Sequence, residues 1–234
     1  MALQPESVGA IIAAAGRGRR FGEGDKLFAP LAGRPVIGHT LMAFEVCRAV
    51  GTVVLVLAEE NLERGCRLVD AAGFDKVTVI CPGGPRRQDS VRLGLEALPA
   101  CRWVVVHDGA RPLVTAALIE AGLTAAAETG AAIAAVPLAD TLKDVAEDGL
   151  IRRTLDRRNL WCAQTPQVFR RQLILDAYAA AERDGAEATD DAQLVERLGR
   201  PVAVVPGCDL NLKITTPEDL RLAEAILAHG LLQR

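Results

Sequence analysis

The segment Thr52–Ala58, TVVLVLA, sets six apolar residues in unbroken succession. A strand with one wet face alternates apolar and polar side chains. An unbroken, β-branched run therefore predicts a strand covered on both faces, with helices above and below it. The neighbouring segments fit that demand. Val8–Ala14 is a short apolar run ending at glycine, Lys76–Cys81 and Ala131–Val136 read as strands, and Trp103–His107 (WVVVH) is another. Between them, Pro35–Val50, Asn61–Ala72, Arg86–Leu98 and Thr115–Thr129 carry helical patterns. Strands that alternate with helices in this way predict an α/β protein with a mostly parallel sheet.

The rhythm breaks after Pro137. Asp140–Val145 and Leu150–Leu155 are short, polar and strand-like, and Ala146-Glu147-Asp148-Gly149 joins them with an Asp-Gly turn signal. This hairpin has too few apolar residues for a core of its own, so residues 138–158 are expected to project as an arm, either packed on a second subunit or as a surface excursion. Helical patterns resume at Arg170–Arg183 and Thr189–Leu198. A strand at Val202–Val205 and a helix at Pro217–His229 follow. With no linker, repeat or low-complexity stretch in its 234 residues, the chain reads as one domain, 1–234, bearing that arm.

Half of the residues are hydrophobic and the net charge is −3, which disfavours a general nucleic-acid binder. No run of roughly 18 apolar residues offers a membrane span, and the N-terminus MALQPESVG lacks the features of a signal peptide. The six cysteines form no CxxC pair, and the three histidines are scattered, which points away from a histidine-based zinc site. A cytoplasmic location, with the cysteines reduced, is the expectation.

Ligands of parallel sheets bind beyond the carboxyl ends of the strands, so the loop after the first strand, AAAGRGRRFGEGDK, holds the chemistry. A dinucleotide fingerprint fails here because Phe21 stands where a third glycine is needed, and no Gly-Lys-Ser/Thr triplet makes a Walker loop. What remains is G-x-G-x-R followed by Lys26. Gly16 and Gly18 let backbone N–H groups approach a ligand closely. Arg20 and Lys26 add positive charge, and a triphosphate with roughly four negative charges calls for it. The alternative is a basic surface loop.

Seven segments in order now matter together: AAAGRGRRF (13–21), GGPRRQDSV (83–91), VHDGARP (106–112), ADTLK (139–143), TLDRRNLWCAQTPQ (154–167), TDDAQLVE (189–196) and NLKITTPEDL (211–220). By these the chain resembles the 2-C-methyl-D-erythritol 4-phosphate cytidylyltransferases of the non-mevalonate isoprenoid pathway. The resemblance implies a Rossmann-like fold, a homodimer, a divalent cation such as Mg2+, and CTP and methylerythritol phosphate as substrates. It implies catalytic roles for Arg20, Lys26, Arg157 and Lys213. It assigns Ala14, Ala15, Gly16, Gly18, Gly84, Ser90, Asp108 and Gly109 to CTP. The acceptor set is Thr141, Arg157, Thr165, Thr189 and Arg111, and the metal falls to Asp108 and Asp209. Arg87 resembles a basic residue of the family. Through the resemblance, the arm would carry part of the acceptor set across the dimer.

Two positions depart from the family's pattern. Asp25 precedes the loop lysine where relatives usually have proline, and Pro85 stands where they often carry an acidic residue. Competing readings are a cytidylyltransferase for another polyol phosphate such as ribitol 5-phosphate, and a nucleotide-binding module without chemistry. Because the chain stops at Arg234 soon after the closing helix, no fused second enzyme is expected.

Overall fold

The computed structural model describes residues 7–16, 21 and 25–233. In chain order the elements are β1 (Val8–Ala14), β2 (Pro30–Leu31), β3 (Arg34–Pro35), α1 (Val36–Val46), β4 (Thr52–Leu57), α2 (Leu62–Ala72), β5 (Val77–Pro82), α3 (Arg87–Ala97), β6 (Trp103–Asp108) and α4 (Ala116–Thr129). There follow β7 (Ala131–Pro137), β8 (Lys143–Val145), β9 (Ile151–Thr154), β10 (Trp161–Arg170), α5 (Arg171–Asp184), α6 (Asp191–Arg197), β11 (Ala203–Pro206) and α7 (Pro217–Ala228).

Seven strands form the central sheet in the order β11-β7-β10-β6-β1-β4-β5. The β1–β4, β1–β6, β4–β5 and β7–β11 pairs are parallel. β10 runs antiparallel to both of its neighbours. The expected mostly parallel α/β sheet is therefore what the chain forms, with one reversed strand.

That reversed strand is the element the sequence pattern hides. β10 reads WCAQTPQVFR, so Gln164, Thr165, Pro166 and Gln167 interrupt any apolar period. All three polar members of that stretch are buried, and the register shifts between Ala163 and Gln167. A proline is tolerated inside a sheet only at such irregularities.

The unbroken apolar strands do split between two faces. Val53, Leu55 and Leu57 of β4 join Ile37, Leu41 and Phe44 of α1 and Ile119 and Leu123 of α4 on one side. Val54 and Val56 meet Val91 and Leu95 of α3 and Ile174 and Tyr178 of α5 on the other. Both faces are dry, which is why the run needs no polar residue. Truncating such a residue, Leu55 for example, to alanine would cost roughly 2–5 kcal/mol. A smaller cluster, including Leu31, Leu113, Ile214 and Ile226, seats α7 beside the β2–β3 ribbon.

The α1 helix stops at Val46, short of the expected Val50, because residues 47–51 turn back to pair Gly51 N–H with the Val8 carbonyl. β8 and β9 form the expected antiparallel hairpin, with Lys143 opposite Thr154, and every residue of β9 is exposed. No helix among the described residues is long and apolar enough to cross a membrane.

Candidate active site

The carboxyl ends of β1, β5 and β6, together with the stretch before α7, border a cavity of about 840 Å3, within the range of roughly 300–1,000 Å3 common for small-molecule sites. Eight of the expected residues line it: Ala14, Ala15, Gly16, Lys26, Gly84, Ser90, Asp108 and Lys213. Gly18 and Arg20 lie outside the described residues.

The floor is built by close approach. A Cβ on Gly83 would come within 2.2 Å of the Ala15 Cβ, and one on Gly84 within 2.4 Å of the Asp89 Cβ. Ser90 stands one turn into α3, where its hydroxyl accepts from the Gly84 N–H at 3.1 Å and contacts the Arg86 carbonyl at 3.1 Å. The 83–86 turn is thereby fastened to the first turn of α3, whose N-terminal end carries a partial positive charge towards the cavity. Gly109 does not line the cavity. A Cβ there would meet Ile37 Cδ1 at 2.7 Å and Ala14 Cβ at 2.9 Å, so the glycine lets the chain leave β6 packed closely against β1 and α1.

Asp108 is the electrostatic centre. It is 7 % exposed. Arg87 Nε donates to one of its oxygens at 2.9 Å and Lys213 Nζ to the other at 2.7 Å. Arg111 Nε lies 3.8 Å away. Burial would raise its pKa, but the Arg87, Lys213 and Arg111 charges outweigh burial and hold the carboxyl well below the usual carboxylate range. It is ionised at any working pH.

Arg87 is itself a bridge. Its Nη1 lies 2.8 Å from Asp191, which is 1 % exposed and accepts from the Tyr178 hydroxyl at 2.5 Å. Burial opposes the Arg87 charge, yet Asp191 and Asp108 together hold its pKa above the ordinary arginine value. Sequence reading noted Arg87 but gave Asp191 and Tyr178 no part. Only the fold brings α3, α5 and α6 together at this point. Glu59 and Glu60, which follow β4 and were also unforeseen, line the cavity as well.

At the loop base, Lys26 Nζ donates to the Ile214 carbonyl at 3.1 Å. Asp25 accepts from the Leu27 N–H at 2.9 Å with one oxygen and from the Asn61 amide with the other. It ties the loop to the start of α2.

The expected acceptor residues are dispersed. Thr165 is buried, and its hydroxyl accepts from the Asp108 N–H at 3.0 Å, so here it fixes the carboxylate's backbone. Arg111 donates to the Asn211 carbonyl at 2.8 Å beneath Asp108 and does not line the cavity. Thr189 is exposed, with its N–H on Gln193 at 2.8 Å. Thr141 and Arg157 are exposed beside the hairpin, where Arg157 donates to the Ala139 carbonyl. Asp209 is exposed and does not line the cavity.

Among the described residues no group of three or more His, Cys, Asp or Glu side chains could hold a metal ion. Asp108 offers a buried, permanently charged oxygen pair at the cavity. Mg2+ commonly takes one or two carboxylates and completes its shell with phosphate oxygens and water. Of the two expected ligands only Asp108 reaches the cavity, and its two oxygens already accept from Arg87 and Lys213, so a cation there would share Asp108 with them and take its remaining donors from the nucleotide.

A glycine-floored, lysine-bearing cavity at the carboxyl edge of a mostly parallel α/β sheet is where such folds bind ligands, and by its likeness to solved structures the fold is of the nucleotidyltransferase type. A family model described as 2-C-methyl-D-erythritol 4-phosphate cytidylyltransferase (IspD) matches residues 8–229, and the chain belongs to that family. An enzyme of that name from Dehalococcoides mccartyi (strain CBDB1) is 52% identical over 225 residues, spanning 96% of this chain and 98% of the relative. The crystal structure of a 4-diphosphocytidyl-2C-methyl-D-erythritol synthase from Anaerococcus prevotii superposes with a TM-score of 0.83 at 31% identity, covering 94% of this chain and 98% of that one. A 2-C-methyl-D-erythritol 4-phosphate cytidylyltransferase from Thermus thermophilus gives 0.79 at 38% identity, with 94% and 98% covered.

Proposed function

We propose that this chain is a transferase that joins CTP and 2-C-methyl-D-erythritol 4-phosphate, yielding 4-diphosphocytidyl-2-C-methyl-D-erythritol and pyrophosphate. Family membership over residues 8–229 supports the reaction. The observation that carries it to this site is the cavity that gathers Lys26, Arg87 and Lys213 beside the bare backbone of Gly16, Gly83 and Gly84.

An oxygen of the acceptor's phosphate attacks the α-phosphorus of CTP. A new phosphorus–oxygen bond forms as the bond to the bridging oxygen breaks, and that oxygen leaves with the electron pair as pyrophosphate. The attacking group is already anionic, so no side-chain nucleophile is required. Positioning and charge compensation carry the step. Lys26 and Arg20 neutralise charge on the α-phosphate and the departing pyrophosphate, and Lys213 holds the two substrates' phosphates together. Asp108 keeps Lys213 in place, and Arg87 keeps Asp108 in place. A divalent cation held by Asp108 and the nucleotide's phosphate oxygens would supply further charge compensation.

The acceptor end is completed by a second copy of the chain. Val145 (50% exposed), Leu150 (68%) and Ile151 (61%) crowd the hairpin with apolar surface, and exposed apolar patches mark association sites. In a homodimer built through this arm, Arg157 and Thr141 reach the partner's cavity, where a guanidinium grips the acceptor phosphate. The enzyme works in the cytoplasm, in keeping with its six free cysteines.

Incubation with CTP, Mg2+ and a panel of polyol phosphates, read by pyrophosphate release, tests this reading. Release is expected with methylerythritol phosphate. Release with ribitol 5-phosphate instead, or with none of the panel, would overturn it.

A further inference from the structure

Lys213 stands on residues 207–216, a stretch without regular secondary structure between β11 and α7. A cation on a loop is only as well placed as the loop is held. Here β10 does the holding. The Gln164 side chain accepts from the Cys208 N–H at 3.3 Å and donates to the Cys208 carbonyl at 2.9 Å, so one amide grips both polar groups of one loop residue. Asn211 Nδ2 donates to Gln164 Oε1 at 3.2 Å and to the Thr165 carbonyl at 2.9 Å.

Both amides are buried, Asn211 at 1% and Gln164 at 7% exposure. The fit is tight, since a Cβ on Gly207 would come within 2.6 Å of Gln164 Oε1. Two residues beyond Asn211 comes Lys213, and then Ile214, whose N–H donates to the Ala110 carbonyl at 2.8 Å. On the same strand Thr165 accepts from the Asp108 N–H at 3.0 Å. Adjacent residues of β10 thus hold both members of the Asp108–Lys213 pair. Asn211 Oδ1 is buried without a hydrogen-bond partner among the described residues.

We propose that Gln164 and Asn211 are positioning residues for the transfer reaction. Their amide pair sets where Lys213 sits over Asp108, and hence where the two substrate phosphates meet. The inference rests on the reading of Lys213 as the cation that holds those phosphates. Neither amide touches substrate. Each acts through the loop, and a displacement of about 1 Å at such a group can cost as much as 10²-fold in rate.

The test is a double-mutant cycle on the full-length enzyme, with kcat and KM read from pyrophosphate release. Asn211→Ala and Gln164→Met are each expected to fold and to lose kcat by roughly tenfold or more. In a Lys213→Ala background the same changes are expected to cost less than about twofold, because contacting residues are non-additive. A loss that persists at full size in that background, or a normal kcat in either folded variant, would overturn the clamp. So would failure of both variants to fold, which would assign the amides to stability. Normal turnover by Lys213→Ala alone would instead remove the reading of that lysine on which the clamp depends.

Discussion

The cavity and the hairpin arm are built on opposite principles. Around the cavity, the charge centres on two buried carboxylates, Asp108 and Asp191, and is answered within the chain. Asp108 is held by Arg87 and Lys213, and Arg87 in turn by Asp191. On the arm, charge is exposed and loosely answered. Arg153 and Asp144 pair at 3.0 Å with Arg153 largely in solvent, a contact of a kind worth about 0–1 kcal/mol. Apolar side chains of the arm face outward as well. Charge that develops during phosphoryl transfer is best met by groups already fixed in place, and Lys26 and Lys213 are so held, by the Ile214 carbonyl and by Asp108. The arm has the character of a surface that waits for another one. One chain therefore builds the nucleotide half of the site by itself, and the acceptor half is proposed to need two.

The most forceful way to break this contrast is to remove a cavity cation. Lys26→Ala and Lys213→Ala are each expected to lower kcat/KM by roughly 10²-fold or more, the range for one preorganised charge, while leaving the oligomer intact. Near-normal turnover in either variant would show that the cavity's charges are structural. Next in size, deletion of residues 140–155 is expected to lower oligomer mass and activity together, with activity falling at least about tenfold because Arg157, though retained, would no longer be carried to a partner's cavity to grip the acceptor phosphate. A fully active monomer would dissolve the division between the two halves. Sharper, though smaller, is Arg157→Ala. It is expected to raise the KM for methylerythritol phosphate about tenfold and to leave CTP affinity, measured by calorimetry, within about twofold of the parent. The reverse pattern would move Arg157 into the nucleotide half.

The same contrast explains what could be read from the chain and what could not. TVVLVLA and WVVVH announce parallel strands because both of their faces are apolar, and the pattern has no other economical use. The loop after β1 and its Lys26 were legible because glycine backbone and fixed cations answer to a phosphate-rich ligand, whereas Gly84, Asp108 and Lys213 were placed only by resemblance to the family. β10 was not legible, because its polar residues are turned inward to make the site. Gln167 donates to Asp190 and accepts from the Ala192 N–H, and Gln164 and Thr165 hold the loop and Asp108. A strand that spends its side chains on hydrogen bonds loses the hydrophobic period by which strands are recognised. Asp191 escaped for a related reason. Beside Asp190 it reads as part of a helix start, and Asp190 does take the cap, accepting from the Gln193 N–H. A buried tyrosine–aspartate–arginine bridge has no signature along the sequence, since its members lie on α5, α6 and α3.

The mildest prediction concerns how the far end of the Lys213 loop is fixed. Asp219, in the first turn of α7, accepts from the Thr215 N–H at 2.8 Å, the Thr215 hydroxyl at 2.7 Å and the Thr216 N–H at 2.8 Å. Burial would raise its pKa, but these hydrogen bonds, the Thr215 hydroxyl's foremost, outweigh burial and hold it below the ordinary value. A carboxyl whose folded pKa is depressed adds stability that is present above its unfolded pKa of about 3.9 and is lost as pH falls through the folded value. Asp219→Ala is therefore expected to destabilise the protein by about 1 kcal/mol near neutrality, the usual size of a lost helix cap. The gap between variant and parent, read from urea midpoints, is expected to close as pH falls below about 4. Because the cap adjoins the loop that carries Lys213, the variant should also lose a modest part of kcat, whereas a substitution of equal thermodynamic cost on the arm should act on dimer mass. A gap that stays constant down to about pH 3 would mean that Asp219 acts through packing and not through its charge.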